Sequence, residues 1–145
     1  MLRIVDPAGV DRRLRNRPRR RNYRGEGPNY IWHVDGYNKL KPFGFCIHGC
    51  IAGYSRRILW SEVGTTKNYP CVTAKYFLDF VHSVRGSPHI VRADNGTENV
   101  NMAAIQCFFR RELLMHLQIK IVFCTVLQFS SNQRIEAWWS QLRQG

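Results

Sequence analysis

The sequence predicts an α/β domain in which helices pack on a mixed β-sheet, and three observations carry that expectation. Residues 31–63 read as three successive strands joined by short turns, an antiparallel meander. Residues 70–94 read as a helix and then a strand, so a strand–helix–strand crossover makes that strand parallel to its neighbour. Residues 132–144 repeat apolar side chains at helical spacing. At 145 residues the chain has material for a single domain with a real core. The coarse order is βββαβαβα.

The first 28 residues are set apart from this pattern. Residues 11–24 hold eight arginines in fourteen positions, together with Pro18. Like charges at that density repel and keep a chain extended. The segment 1–28 is therefore expected to be a basic, disordered arm, ending at Gly25-Glu26-Gly27-Pro28. It reads equally as a phosphate-binding arm, a nuclear-import signal or a solvated linker. The core domain is expected over 29–145.

Net charge narrows the partner. The chain carries +12, of which the first 24 residues contribute +7 and the remaining 121 contribute +5. Such an excess suits a polyanion, most simply nucleic acid. No stretch reaches the roughly 18 apolar residues of a membrane span. The five cysteines are odd in number, lie in apolar stretches and follow no signal peptide, so they read as reduced thiols in a cytosolic or nuclear protein.

The first strand, Ile31 to Tyr37, is apolar except for its polar His33 and acidic Asp35. A carboxylate in so apolar a strand costs stability unless it is paired or bound to a cation. The second strand is expected over 43–52 and the third over 54–63. Cys46, His48 and Cys50 alternate along the second strand and face one way. Side chains on successive rungs do not converge as zinc ligands from turns do, so these read as core.

Asn68 is placed to cap the first helix and Pro70 to open it. Val72, Tyr76, Phe77, Phe80, Val81 and Val84 form its apolar stripe, and Gly86 and Pro88 stop it. A short buried strand, 89–93, then ends at Asp94, where Asn95-Gly96 is expected to turn through the left-handed region. Asp94 would thus sit at the sheet edge, either as a turn-capping acid or as a metal ligand. A second helix is expected over 100–115, burying Ala103, Ala104, Cys107 and Phe108. A fifth strand is expected over 118–127. In the last helix Ile135, Trp138, Trp139 and Leu142 form the buried stripe, and Asn132, Glu136, Ser140 and Arg143 line another face. Glu136 reads either as a solvent-facing side chain or as a third acid aimed at the same opening.

Three carboxylates in one place repel unless a cation binds them. Asp35, Asp94 and Glu136 therefore make sense together as hard oxygen ligands for Mg2+ or Mn2+. Two such ions suit phosphodiester chemistry, and they explain acids in a protein that otherwise attracts a polyanion.

Trp32-His33-Val34-Asp35-Gly36, then residues 92–99 (RADNGTEN), then residues 131–139 (SNQRIEAWW), resemble the integrase core domain. This is the DDE-type catalytic domain of retroviral integrases and transposases. The likeness extends to integrase-core proteins that animal genomes encode and that derive from mobile elements, and it spans about 29–143. It implies an RNase H-like fold: a five-stranded mixed sheet in the order 3-2-1-4-5, flanked by helices. It also implies metal-dependent DNA cleavage and strand transfer, with Asp35, Asp94 and Glu136 as catalytic two-metal ligands. Asn132, Gln133 and Arg134, beside the glutamate, would be placed to touch DNA, with Lys39 and Lys41 as further phosphate contacts. A nuclear location follows, and a homo-oligomer is compatible with it.

The spacing from Asp94 to Glu136 is longer than in retroviral integrases, and the chain ends nine residues after Glu136. The domain is thus expected to be truncated at its C-terminus. Two alternatives to a working strand-transfer enzyme stay open. One is a domesticated, non-catalytic DNA-binding or scaffold protein that keeps the fold. The other is a purely hydrolytic nuclease.

Overall fold

The computed structural model describes residues 26–65, 69–116 and 132–144, and for 112–116 the backbone alone. Strand β1 spans Ile31–Tyr37, β2 Cys46–Ala52 and β3 Ile58–Gly64. Helix α1 spans Pro70–Val84, strand β4 Ile90–Arg92, helix α2 Val100–His116 and helix α3 Gln133–Leu142. Among the described residues the sheet has four strands, in the order β3-β2-β1-β4. The expected order agrees over these four. The sheet described is four-stranded rather than five-stranded, and the segment expected as a fifth strand, 118–127, lies outside the described residues, as does the basic arm up to residue 25.

Alternation along the strands divides the core in two. Trp32 and Val34 of β1, Cys50 of β2, Trp60 of β3 and Val91 of β4 point to one face, where Phe77 of α1 and Met102 of α2 cover them. Trp32 is fully buried at the centre of this layer. Its ring meets Trp60, Phe77 and Phe80 edge-on at centroid distances of 6.2, 6.0 and 5.2 Å. Such pairs each add about 0.5–1.5 kcal/mol beyond the area they bury. The opposite face carries Ile47 and Ile51, packed against Ile135 and Trp139 of α3. β1 pairs antiparallel with β2 and parallel with β4, as the crossover requires.

Several local expectations are corrected. The residue before α1 is Tyr69, which makes no side-chain cap, and Asn68 lies outside the described residues. α1 ends on Arg85, which takes the left-handed backbone (φ 51°) ahead of Gly86. α2 buries Met102 and Gln106, while Ala104 and Phe108 are exposed. The reason is the short 3-10 turn Thr97–Asn99, which sets the helix's rotation before it begins. Thr73 of α1 donates to the Glu98 carbonyl and pins that turn. Gly96 is extended (φ −98°), not left-handed. It is small because the Glu98 carboxyl group sits where a Cβ would go.

Cys46, His48 and Cys50 are core side chains. The Trp60 indole N–H donates to His48 Nδ1 at 3.1 Å, and burial raises the Cys50 thiol pKa.

Candidate functional site

β1 supplies the first acid. Asp35 is half-buried and points to the face that α3 covers. Its Oδ1 accepts from the Gly36 amide at 2.8 Å, and its Oδ2 accepts from the Trp139 indole N–H at 2.9 Å. The rung opposite Asp35 on β2 is Gly49. A Cβ there would stand 3.0 Å from the Trp139 ring and 3.1 Å from the Trp138 ring. The missing side chain is what lets the two indoles lie on the sheet beside the carboxylate.

β4 brings the second acid to the same end. The parallel register pairs His33 with Arg92. Continued for two further residues, it sets Asp94 alongside Asp35, and neighbouring strands lie about 4.8 Å apart. β4 itself ends at Arg92, so Asp94 stands just beyond it and is exposed. The turn after it is held by the buried Asn99, whose Nδ2 donates to the Asp94 carbonyl at 3.0 Å.

α3 is fixed to β1 at two points. Asn132 is 1% exposed. Its Nδ2 donates to the Val34 carbonyl at 2.7 Å, and its Oδ1 faces His33 Nδ1 at 2.7 Å. With the amide oriented by Val34, the Nδ1 of His33 is the protonated nitrogen. Desolvation, followed by the Arg92 and Arg134 charges, outweighs the Asn132 bond and lowers the His33 pKa to about 4. The second point is the Trp139–Asp35 bond, seven residues along the helix. Asn132 is thus buried inside the domain, where it positions α3 on β1.

Glu136 lies in the first turn of α3 and is exposed. Ile135, Trp138 and Trp139 lean toward β2. At about 100° per residue, Glu136 is turned roughly a quarter of the way round the helix from Ile135, out of that packed face. Among the described residues no group of three histidines, cysteines, aspartates or glutamates is drawn close enough to hold a metal ion. Gln133, Lys39 and Lys41 are exposed and Arg134 is half-buried.

The integrase core domain family model matches residues 22–145. The chain belongs to the integrase core domain family. Among solved structures, this integrase core resembles the catalytic core domain of HTLV-2 integrase, determined with magnesium in trimeric and dimeric forms. The trimeric form matches with 22% identity and a TM-score of 0.55, over 83% of this chain and 71% of that one. The dimeric form matches with 21% identity and a TM-score of 0.50, over 83% and 72%. The fold is therefore α/β and like that of a retroviral integrase core. Comparison with curated protein sequences finds no match.

Two features of the site were not read from the sequence. Trp139 was assigned only to a buried stripe, although a buried indole N–H needs an acceptor and Asp35 is an acid in an otherwise apolar strand. Arg92 and Arg56 come beneath α3 through strand register and a turn, which no local pattern reveals.

Proposed function

We propose that this chain is a DDE-type polynucleotidyl transferase core that cuts DNA and joins its ends with Mg2+ or Mn2+. The observation that supports the reading best is the parallel register of β1 and β4, which runs to the His33–Arg92 pair and, carried two residues further, would set Asp94 beside Asp35. The donor set suits such an ion. Mg2+ is commonly held by one or two carboxylates plus water and substrate phosphate. Asp35 Oδ1 accepts from the Gly36 amide and Oδ2 from the Trp139 indole, which fixes the carboxylate on the α3 face of the sheet. When bound, the ions would polarise the scissile phosphate and acidify the attacking water or 3′-hydroxyl.

The residues of the chain do the rest. Asp35 is oriented by Trp139, and Asp94 by the Asn99-pinned turn. Glu136 completes the set from the first turn of α3. Gln133, Arg134, Lys39 and Lys41 hold the DNA backbone. Action in the nucleus, descent from a mobile element, a homo-oligomeric state and a basic arm over 1–28 that binds DNA belong to the same reading.

The exposure of Glu136, with no three-acid group among the described residues, favours a second reading: a domesticated DNA-binding or scaffold protein. Incubation of the full chain with DNA duplexes and Mg2+ or Mn2+ separates the two. Cutting and joining by wild type, lost in Glu136→Gln, supports the enzyme. Wild type and Glu136→Gln that bind DNA equally and are both inert support the scaffold. Cutting without joining makes it a hydrolytic nuclease.

A further inference from the structure

A cavity of about 350 Å³ opens beneath α3, on the same face of the sheet as Asp35. Its walls include three arginines from three different places: Arg56 from the β2–β3 turn, Arg92 from β4 and Arg134 from α3. His33 and Trp138 also line it, and none of the described residues lining it is acidic. We propose that this cavity is a nucleotide subsite, in which the arginines hold a phosphate of a DNA strand and Trp138 faces the adjoining base.

Guanidinium groups hold phosphate through paired N–H donors, and three of them around one space make a focused cationic field. An aromatic wall accepts any base, because every base offers a π-face. Arg56 adds an independent sign. Its backbone sits in the left-handed region (φ 60°), where a β-carbon is disfavoured, and its amide is held by the Ala52 carbonyl at 3.0 Å. A glycine would sit there without strain, yet the position carries an arginine that reaches the cavity.

Position within the fold gives the subsite its role. His33 and Arg92 each precede an acid of the proposed centre by two residues, roughly 7 Å along a strand. A strand anchored in the cavity would run past Asp35 and Asp94 with its neighbouring phosphate. The inference rests on the DNA-processing reading above, yet the two can fail separately.

Binding of inorganic phosphate, deoxyadenosine 5′-monophosphate and a short single-stranded oligonucleotide to the full chain tests it by calorimetry. EDTA is present throughout, so that the carboxylates contribute no metal. The nucleotide is expected to bind saturably and more tightly than phosphate, and the oligonucleotide to displace it. Arg56→Gly and Arg92→Gln should each weaken nucleotide binding at least tenfold, while Arg111→Gln, an equal charge change on the exposed side of α2, leaves it within twofold. Arg56→Gly should unfold at the same or higher temperature than wild type, which rules out a collapsed fold as the cause. Non-saturable binding, equal loss in Arg111→Gln, or binding of inorganic phosphate alone overturns the subsite. Inert DNA processing with intact nucleotide binding overturns only the catalytic reading.

Discussion

The indole N–H of Trp139 donates to the carboxylate of Asp35 across 2.9 Å and ties α3 to the first strand. The bond is charge-assisted and half-buried, and Tyr37 stacks on the same indole at 5.1 Å. Trp139→Phe keeps most of the packing and deletes the donor. It should lower stability by about 1–2 kcal/mol in urea titration. The same change removes the donor that holds Asp35 Oδ2, so any Mg2+- or Mn2+-dependent DNA processing should drop with it. Trp139→Ala removes the ring as well and should lose about 3–5 kcal/mol. Equal stability of Trp139→Phe and wild type would show that the bond holds nothing.

Glycines 49 and 96 provide a paired test of close approach. An alanine Cβ at Gly49 would meet two indoles at 3.0–3.2 Å. Those rings lean on each other at 4.3 Å and have little room to give. Gly49→Ala should therefore destabilise the domain by about 1–2 kcal/mol. At Gly96 the obstacle is only the flexible end of Glu98, and the backbone is extended. Gly96→Ala should stay within about 0.5 kcal/mol of wild type. Thermal unfolding of the two variants side by side checks the order, and the reverse order refutes this account of the β2–α3 contact.

Much of this arrangement was legible in the chain, for reasons that lie in local chemistry. The meander, the crossover and the Trp-rich helix follow from side-chain period, and the parallel pairing of β1 with β4 follows from the crossover. What could not be read depends on rotation and on long-range contact. Phe108, expected inside, is exposed, and α2 buries Met102 and Gln106 instead, because the turn Thr97–Asn99 sets where the helix starts its spiral. Helical spacing puts Asn132 on one face with Glu136, and nothing in its neighbourhood shows that His33 and Val34 lie under it. Gly49 carried no signal of its own, because its meaning comes from two indoles nearly ninety residues away.

His33 makes stability depend on pH. An unfolded histidine takes up a proton near pH 6.5, whereas His33 in the fold does so only at about 4. Its contribution is therefore complete above pH 6.5, falls as pH drops from there toward 4, and falls no further below. The slope reaches at most about 1.4 kcal/mol per pH unit. His33→Gln can still donate to Asn132 Oδ1 and cannot titrate, so its unfolding midpoint should be flatter between pH 7 and 4.5. Parallel pH profiles for the two proteins would assign the slope to other groups. Asn132→Asp should move the His33 pKa upward, readable in its ring proton shifts, because a carboxylate then faces Nδ1.

Asp94 and Glu136 allow the centre to be separated from the fold, since both are exposed and neither holds an element in place. Asp94→Asn and Glu136→Gln should each unfold within about 0.5 kcal/mol of wild type. If the carboxylates share divalent ions, wild type should gain stability with added Mn2+ in proportion to the logarithm of its concentration above Kd. Asp94→Asn should lose most of that gain, having given up the acid that follows β4. Glu136→Gln should lose less of it, because the glutamate stands on the helix flank rather than on the sheet edge. DNA processing, by contrast, should fall at least a hundredfold in both variants, because the reaction needs every ligand. Mn2+ stabilisation that survives intact in Asp94→Asn would remove Asp94 from the ion's shell, and the proposed alignment with Asp35 would lose its chemical meaning.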